Sequence, residues 1–115
     1  MDAKELYEKG FQLRCEGAYG EAKNVFGQVL ESDQDHADTL WQLGLIKGFE
    51  GDFDGSIEAL KAVVEANPNH VGARFDYAMS LMMIGQEAQA CEQFREVLRQ
   101  DPDHEKAKQQ TVFCP

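Results

Sequence analysis

A chain of 115 residues makes one domain, and 43% hydrophobic content is ordinary for a protein that folds around a core. A net charge of −10 argues against the two partners that need a dense cluster of Lys and Arg, a nucleic-acid backbone and an anionic membrane surface. It permits a basic partner without demanding one, and it serves solubility in any case.

Taken in order, the chain is a succession of short helical stripes. Leu6, Gly10 and Leu13 fall at i, i+4 and i+7, which predicts a first helix over about residues 3–15. A glycine inside such a stripe costs about 1 kcal/mol against alanine, so a closely packed partner helix is expected at Gly10. Gly17 ends this helix in a turn. The second helix, about residues 19–31, should turn Ala22, Phe26, Val29 and Leu30 inward. Asp33 to His36 form a link in which Asp35 is the expected N-cap of the next helix. Residues 37–70 then read as two helices folding back on each other. Leu40, Trp41 and Gly44 lie on one and Ile57, Leu60, Val63 and Val64 on the other, with Gly51, Asp52 and Phe53 between them. Pro68 cannot continue a helix interior, and Asn69 is expected to cap the helix that opens at Val71. That helix is apolar nearly all round from Phe75 to Ile84, whereas its partner, about residues 87–100, is ordinary. A last helix, 105 to about 112, is polar where the other first helices are apolar.

Shifting the chain by 34 residues brings Gly17, Gly51 and Gly85 into register. The same shift aligns Asp33, Asn67 and Asp101; His36, His70 and His104; Phe26, Leu60 and Phe94; Val29, Val63 and Val97; and Gly10, Gly44 and Ala78. A fixed period of this size means stacked supersecondary units, each too small to bury its own apolar face. With Leu40, Trp41, Gly44, Gly51, Asp52, Phe53, Ser56 and Pro68 at their places in it, the pattern resembles the tetratricopeptide repeat. The resemblance covers about residues 3–104 as repeats 3–36, 37–70 and 71–104 of a single domain, 1–115. It implies an all-α fold, a right-handed superhelical stack of antiparallel helix pairs (an α-solenoid). Residues 105–115 read as a capping helix or as the start of a truncated fourth repeat, and a piece cut from a longer array is the preferred reading.

The sequence offers little for chemistry. His36, His70 and His104 are one repeat apart, and neighbouring helices alone are separated by roughly 8–10 Å. Ligands of one zinc ion all lie about 2 Å from it, so the three cannot share a metal; they read as a loop residue copied with the repeat. Ser32, Ser56 and Ser80 have no His and acid at recognisable spacing, and the acid pair Asp52 and Asp54 lies in a turn. No catalytic residue, cofactor or metal is expected, and the chain reads as a non-enzyme. Cys15, Cys91 and Cys114 are odd in number and widely spaced, which is neither a disulfide framework nor a zinc pattern. Reduced thiols and a cytoplasmic location are the expectation, with Cys15 and Cys91 as small packing residues and Cys114 as a reactive tail thiol. The start of the chain, Met1 to Glu5, lacks a signal-peptide core, and no apolar run reaches the roughly 18 residues of a membrane helix.

The informative surface is the inner side of the first helices. The residue after Leu40 lies about 100° round the wheel and faces the concave groove. Tyr7, Trp41 and Phe75 share that place. One turn further lie Phe11, Leu45 and Met79, and beyond them Gly48 with Phe49, and Met82 with Met83. Aromatic residues and methionine anchor peptide ligands and adapt to them. The expected function is therefore a protein–protein interaction module, a scaffold or adaptor holding a peptide segment in an apolar groove. The ligand-binding residues would be Tyr7, Phe11, Trp41, Leu45, Phe49, Phe75, Met79 and Met82, with Asp38, Gln42 and Asp76 on the rim suiting a segment that carries some basic residues. The family's best-known groove grips a chaperone's terminal carboxylate with Lys, Asn and Arg. The matching places here hold Tyr7, Phe11, Gln42, Gly72 and Asp76, which argues against that ligand. The alternatives are a structural or self-associating segment of a longer array, or a regulatory arm of a larger multidomain protein.

Overall fold

Seven α-helices and no strand make up the computed structural model, which describes residues 1–115. They are α1 (Ala3–Cys15), α2 (Tyr19–Ser32), α3 (Ala37–Phe49), α4 (Phe53–Ala66), α5 (Val71–Met83), α6 (Glu87–Gln100) and α7 (Glu105–Thr111). Three antiparallel pairs, α1–α2, α3–α4 and α5–α6, stack side by side, and α7 closes the stack against α6. The result is elongated, 46 × 27 × 22 Å.

The turn within each pair is set by one residue. Gly17, Gly51 and Gly85 have φ of 82°, 92° and 83°, a left-handed conformation that costs a side chain dearly and glycine nothing. The closeness of the pairs is set at Gly10, where an added Cβ would lie 2.5 Å from the Phe26 ring. The core runs as a ribbon between helices. Phe26, Val29, Ile46, Leu60, Phe94 and Val97 are fully buried along it, and the largest cluster joins α4, α5 and α6 through Leu60, Val63, Tyr77, Leu81 and Phe94.

Two expectations about the links fail. The N-caps of α3 and α5 are not Asp35 and Asn69 but His36 and His70, and His104 caps α7 in the same way. Each imidazole Nδ1 accepts the backbone N–H three residues on, at 3.2 Å from Thr39, 3.0 Å from Ala73 and 3.1 Å from Ala107. A ring nitrogen can replace the carboxylate or amide oxygen of an ordinary cap because only one acceptor lone pair is needed. The histidine copied with the repeat is thus a helix starter.

The cysteine reading is also overturned. Cys91, buried on α6, is disulfide-bonded to Cys114 beyond α7, and Cys15 is exposed rather than packed. The bond ties the tail to α6, where Arg95 also donates to the Pro115 carbonyl at 2.6 Å. An odd count and wide spacing hid this pairing, because α7 folds back over α6 and brings together two residues 23 positions apart. Reduced thiols were one support for a cytoplasmic location, and the disulfide removes it. No helix is long and apolar enough to cross a membrane.

Candidate functional site: the concave groove

The inner faces of α1, α3 and α5 form one side of the stack, and between them lies a cavity of about 520 Å³. Phe11 and Arg14 come from α1; Trp41, Gln42, Leu45, Gly48 and Phe49 from α3; Asp76, Met79, Ser80 and Met83 from α5. Phe53 and Ser56 at the start of α4 complete it.

The sequence-predicted residues divide in two. Phe11, Trp41, Leu45, Phe49 and Met79 line the cavity. Tyr7, Phe75 and Met82 do not; their work is packing. Tyr7 lies 5.9 Å from the Phe26 ring and 5.6 Å from His36. Phe75 lies 5.7 Å from Phe94 and 4.9 Å from His104, and Met82 packs on the α4–α6 cluster. Each aromatic of the Tyr7, Trp41, Phe75 column therefore meets the capping histidine of the next repeat, the middle pair being Trp41 and His70 at 4.9 Å.

Trp41 belongs to both groups. Its six-membered ring is covered by Gly72, where an added Cβ would lie 2.6 Å away. Its indole N–H donates to Asp76 Oδ2 at 2.7 Å, and the remaining surface faces the cavity. The rim residues are engaged as well. Asp38 accepts from His70 Nε2 at 2.7 Å, a direction fixed by the use of Nδ1 as the cap acceptor. Gln42 is not on the rim at all: it is 1% exposed, and its Nε2 donates to the Tyr7 hydroxyl at 3.4 Å. Its Oε1 has no hydrogen-bond donor. Burial raises the Asp76 carboxyl above the usual carboxylate range, opposed by the hydrogen bond from Trp41. Burial likewise raises the Tyr7 phenol, helped by the charge of Asp38. Asp38 and Asp76 thus each accept a hydrogen bond within the chain, and the Asp38 side chain stays 52% exposed.

Arg14 was missed. Its guanidinium lies 5.0 Å from the centroid of Phe11 and 5.6 Å from that of Phe49, the range of cation–π contact. A signal for it existed. Arg14 is one repeat before Gly48 and two before Met82, both on the expected groove wall, so carrying that column back to the first repeat finds it. Phe53, 48% exposed, was not expected there, and Met83, 67% exposed, was expected on the groove surface beside Met82 but not among its ligand-binding residues.

A tetratricopeptide repeat family model matches residues 50–110. The photosystem I assembly protein Ycf3 of Acaryochloris marina (strain MBIC 11017) is 27% identical over 101 residues, covering 85% of this chain and 61% of that protein. The chain thus spans less than two thirds of that relative's length. Among solved structures, the first TPR of Spaghetti (RPAP3), bound to an HSP90 peptide, superposes with a TM-score of 0.84 at 17% identity, covering 96% of this chain and 87% of that one; that likeness is one of fold. YrrB, described as a TPR protein with an unusual peptide-binding site, superposes with a TM-score of 0.74 at 28% identity, covering 96% and 59%.

Proposed function

We propose that this chain, which belongs to the tetratricopeptide repeat family, is a non-catalytic protein–protein interaction module that holds a peptide segment in its concave groove. The observation that carries this is the cavity of about 520 Å³. It is walled by six large apolar side chains, Phe11, Trp41, Leu45, Phe49, Met79 and Met83, contributed by all three first helices. Phe11, Phe49 and Met83 are 41%, 53% and 67% exposed, and none of them is needed to close the core. Exposed apolar surface gathered in a concavity, rather than scattered, is the mark of a binding site. The peptide reading also draws on YrrB, whose binding site is for peptides.

The test is a selection from a displayed library of random dodecapeptides on the immobilised chain. Trp41→Ala is a poor probe, because Trp41 also fills the junction under Gly72. Phe49→Ala with Met83→Ala removes groove wall from exposed positions and should leave the helical circular dichroism unchanged. The wild-type chain should enrich apolar peptides and the double variant should bind them at least tenfold more weakly, about 1.4 kcal/mol or more. Failure to enrich any peptide, or equal binding by the folded double variant, contradicts the reading.

Stacking on further repeats is the second reading, favoured by Val112 and Phe113, which stand 77% and 80% exposed beyond α7. Light scattering at high concentration separates the two: a monomer removes self-association and leaves the groove reading intact.

A further inference from the structure

Two charged side chains line the groove, Arg14 and Asp76, and they form no ion pair with each other. Arg14 takes part in none of the chain's ion pairs. Its Nε is buried without an acceptor, and its one polar contact is a long 3.7 Å approach of Nη2 to Cys15 Sγ. A guanidinium carries five N–H donors in a planar fork that fits a carboxylate. Here the fork is held between the Phe11 and Phe49 rings and so keeps its orientation. On a chain with ten negative charges in excess, an unpaired cation fixed among apolar side chains is the one group lining this groove that attracts an anion.

We propose that the groove selects a segment in which an internal Asp or Glu stands beside large apolar residues, with the carboxylate seated on Arg14 and the apolar side chains on Phe49, Leu45, Met79 and Met83. This rests on the groove reading above and specifies its ligand. The carboxylate is that of a side chain within the segment, because the places where a terminal carboxylate would be gripped hold Tyr7, Phe11, Gln42, Gly72 and Asp76. Asp76 shares the cavity and feels the charge of Arg14, but it stands at a different level of the groove. Arg14 shares its register with Gly48 and Asp76 shares its own with Gln42, six positions earlier, or about 9 Å of helix rise. The ligand's acid therefore sits towards the turn end of the groove, away from Asp76. The polarity is the reverse of the basic segment expected from Asp38 and Asp76, which makes the charge of the selected peptides the discriminating result.

The library selection tests this when repeated on Arg14→Gln. Wild-type chain should enrich Asp or Glu within two positions of Phe, Leu, Met or Trp. Arg14→Gln should keep the apolar preference and lose the acidic one. A second arm needs no variant of the chain: a selected peptide remade with its Glu changed to Gln should bind the wild-type chain about tenfold more weakly, and Arg14→Gln should bind both forms alike. Apolar peptides selected without acids, selected with Lys or Arg, or bound equally well as Glu and Gln forms would overturn the assignment of Arg14 while the groove reading stands. Selection of no peptide at all would remove both.

Discussion

At the scale of single residues, the junction between the second and third repeats turns on Trp41, His70, Gly72 and Asp76. The Trp41 N–H is the donor given to a partly buried carboxylate whose pKa burial has raised. A folded-state value above the ordinary 3.8 means that Asp76 favours the folded chain below that pH, and that this contribution is lost as pH rises through the folded value. Asp76→Asn keeps an oxygen for the indole and removes the charge. Its stability relative to wild type should therefore grow from pH 4 to pH 7, which urea midpoints across that range will show; a constant difference contradicts the assignment. Trp41→Phe removes the donor and leaves the carboxylate unpaired, a change that should cost about 1–3 kcal/mol near neutral pH and less in acid. At His70 the cap is lost on substitution by Ala, at a cost of roughly 1 kcal/mol. Asn at the same place should recover much of it, because its amide oxygen can accept the Ala73 N–H. Thermal melts of the two variants make that comparison.

At the scale of elements, each helix begins and ends for a reason that the sequence states with varying clarity. The glycines of the turns were legible, because a 34-residue period repeats them and a left-handed conformation suits them, and so was a close partner helix at Gly10, though not that Phe26 is what meets it. Helix bounds followed within a residue or two. The caps were misread because Asp and Asn are the usual N-caps and stood one position too early; nothing local distinguishes a histidine that caps from one that fills a loop. The disulfide was not legible, since it depends on where α7 folds back. Of the groove, the floor was legible by period and Arg14 by the same period had it been followed backwards. What could not be read was which aromatics pack and which stay open, because Tyr7, Trp41 and Phe75 share one helical place. The structure buries Tyr7 and Phe75 edges against Phe26 and Phe94 and leaves part of Trp41 on the cavity. One prediction belongs here. The Cys91–Cys114 bond closes a loop of 23-residue separation, for which loop entropy suggests roughly 3 kcal/mol. Oxidised protein should melt several degrees above protein held in reductant, and Cys114→Ser should melt like the reduced form with or without reductant. Identical melting in both states would mean that the bond does not constrain the folded chain.

At the scale of the whole molecule, a stack in which helices touch mainly their neighbours places no residue at the centre of a sphere. The consequence is a long concave face whose side chains are not consumed by the core. Within the groove Arg14 is the one cation, and Asp76 is the one acid beside it. Such a surface is where the proposed recognition of a peptide segment would take place. Trp41, the only tryptophan, sits on the wall of this groove and reports on it directly. The measurement that tests the central claim is therefore acrylamide quenching of Trp41 during titration with a library-selected peptide. Occupation of the groove should lower the quenching constant and shift the emission to the blue, with a midpoint equal to the Kd measured by calorimetry. Saturating binding that leaves Trp41 emission and quenching unchanged would place the ligand outside the groove and contradict the account.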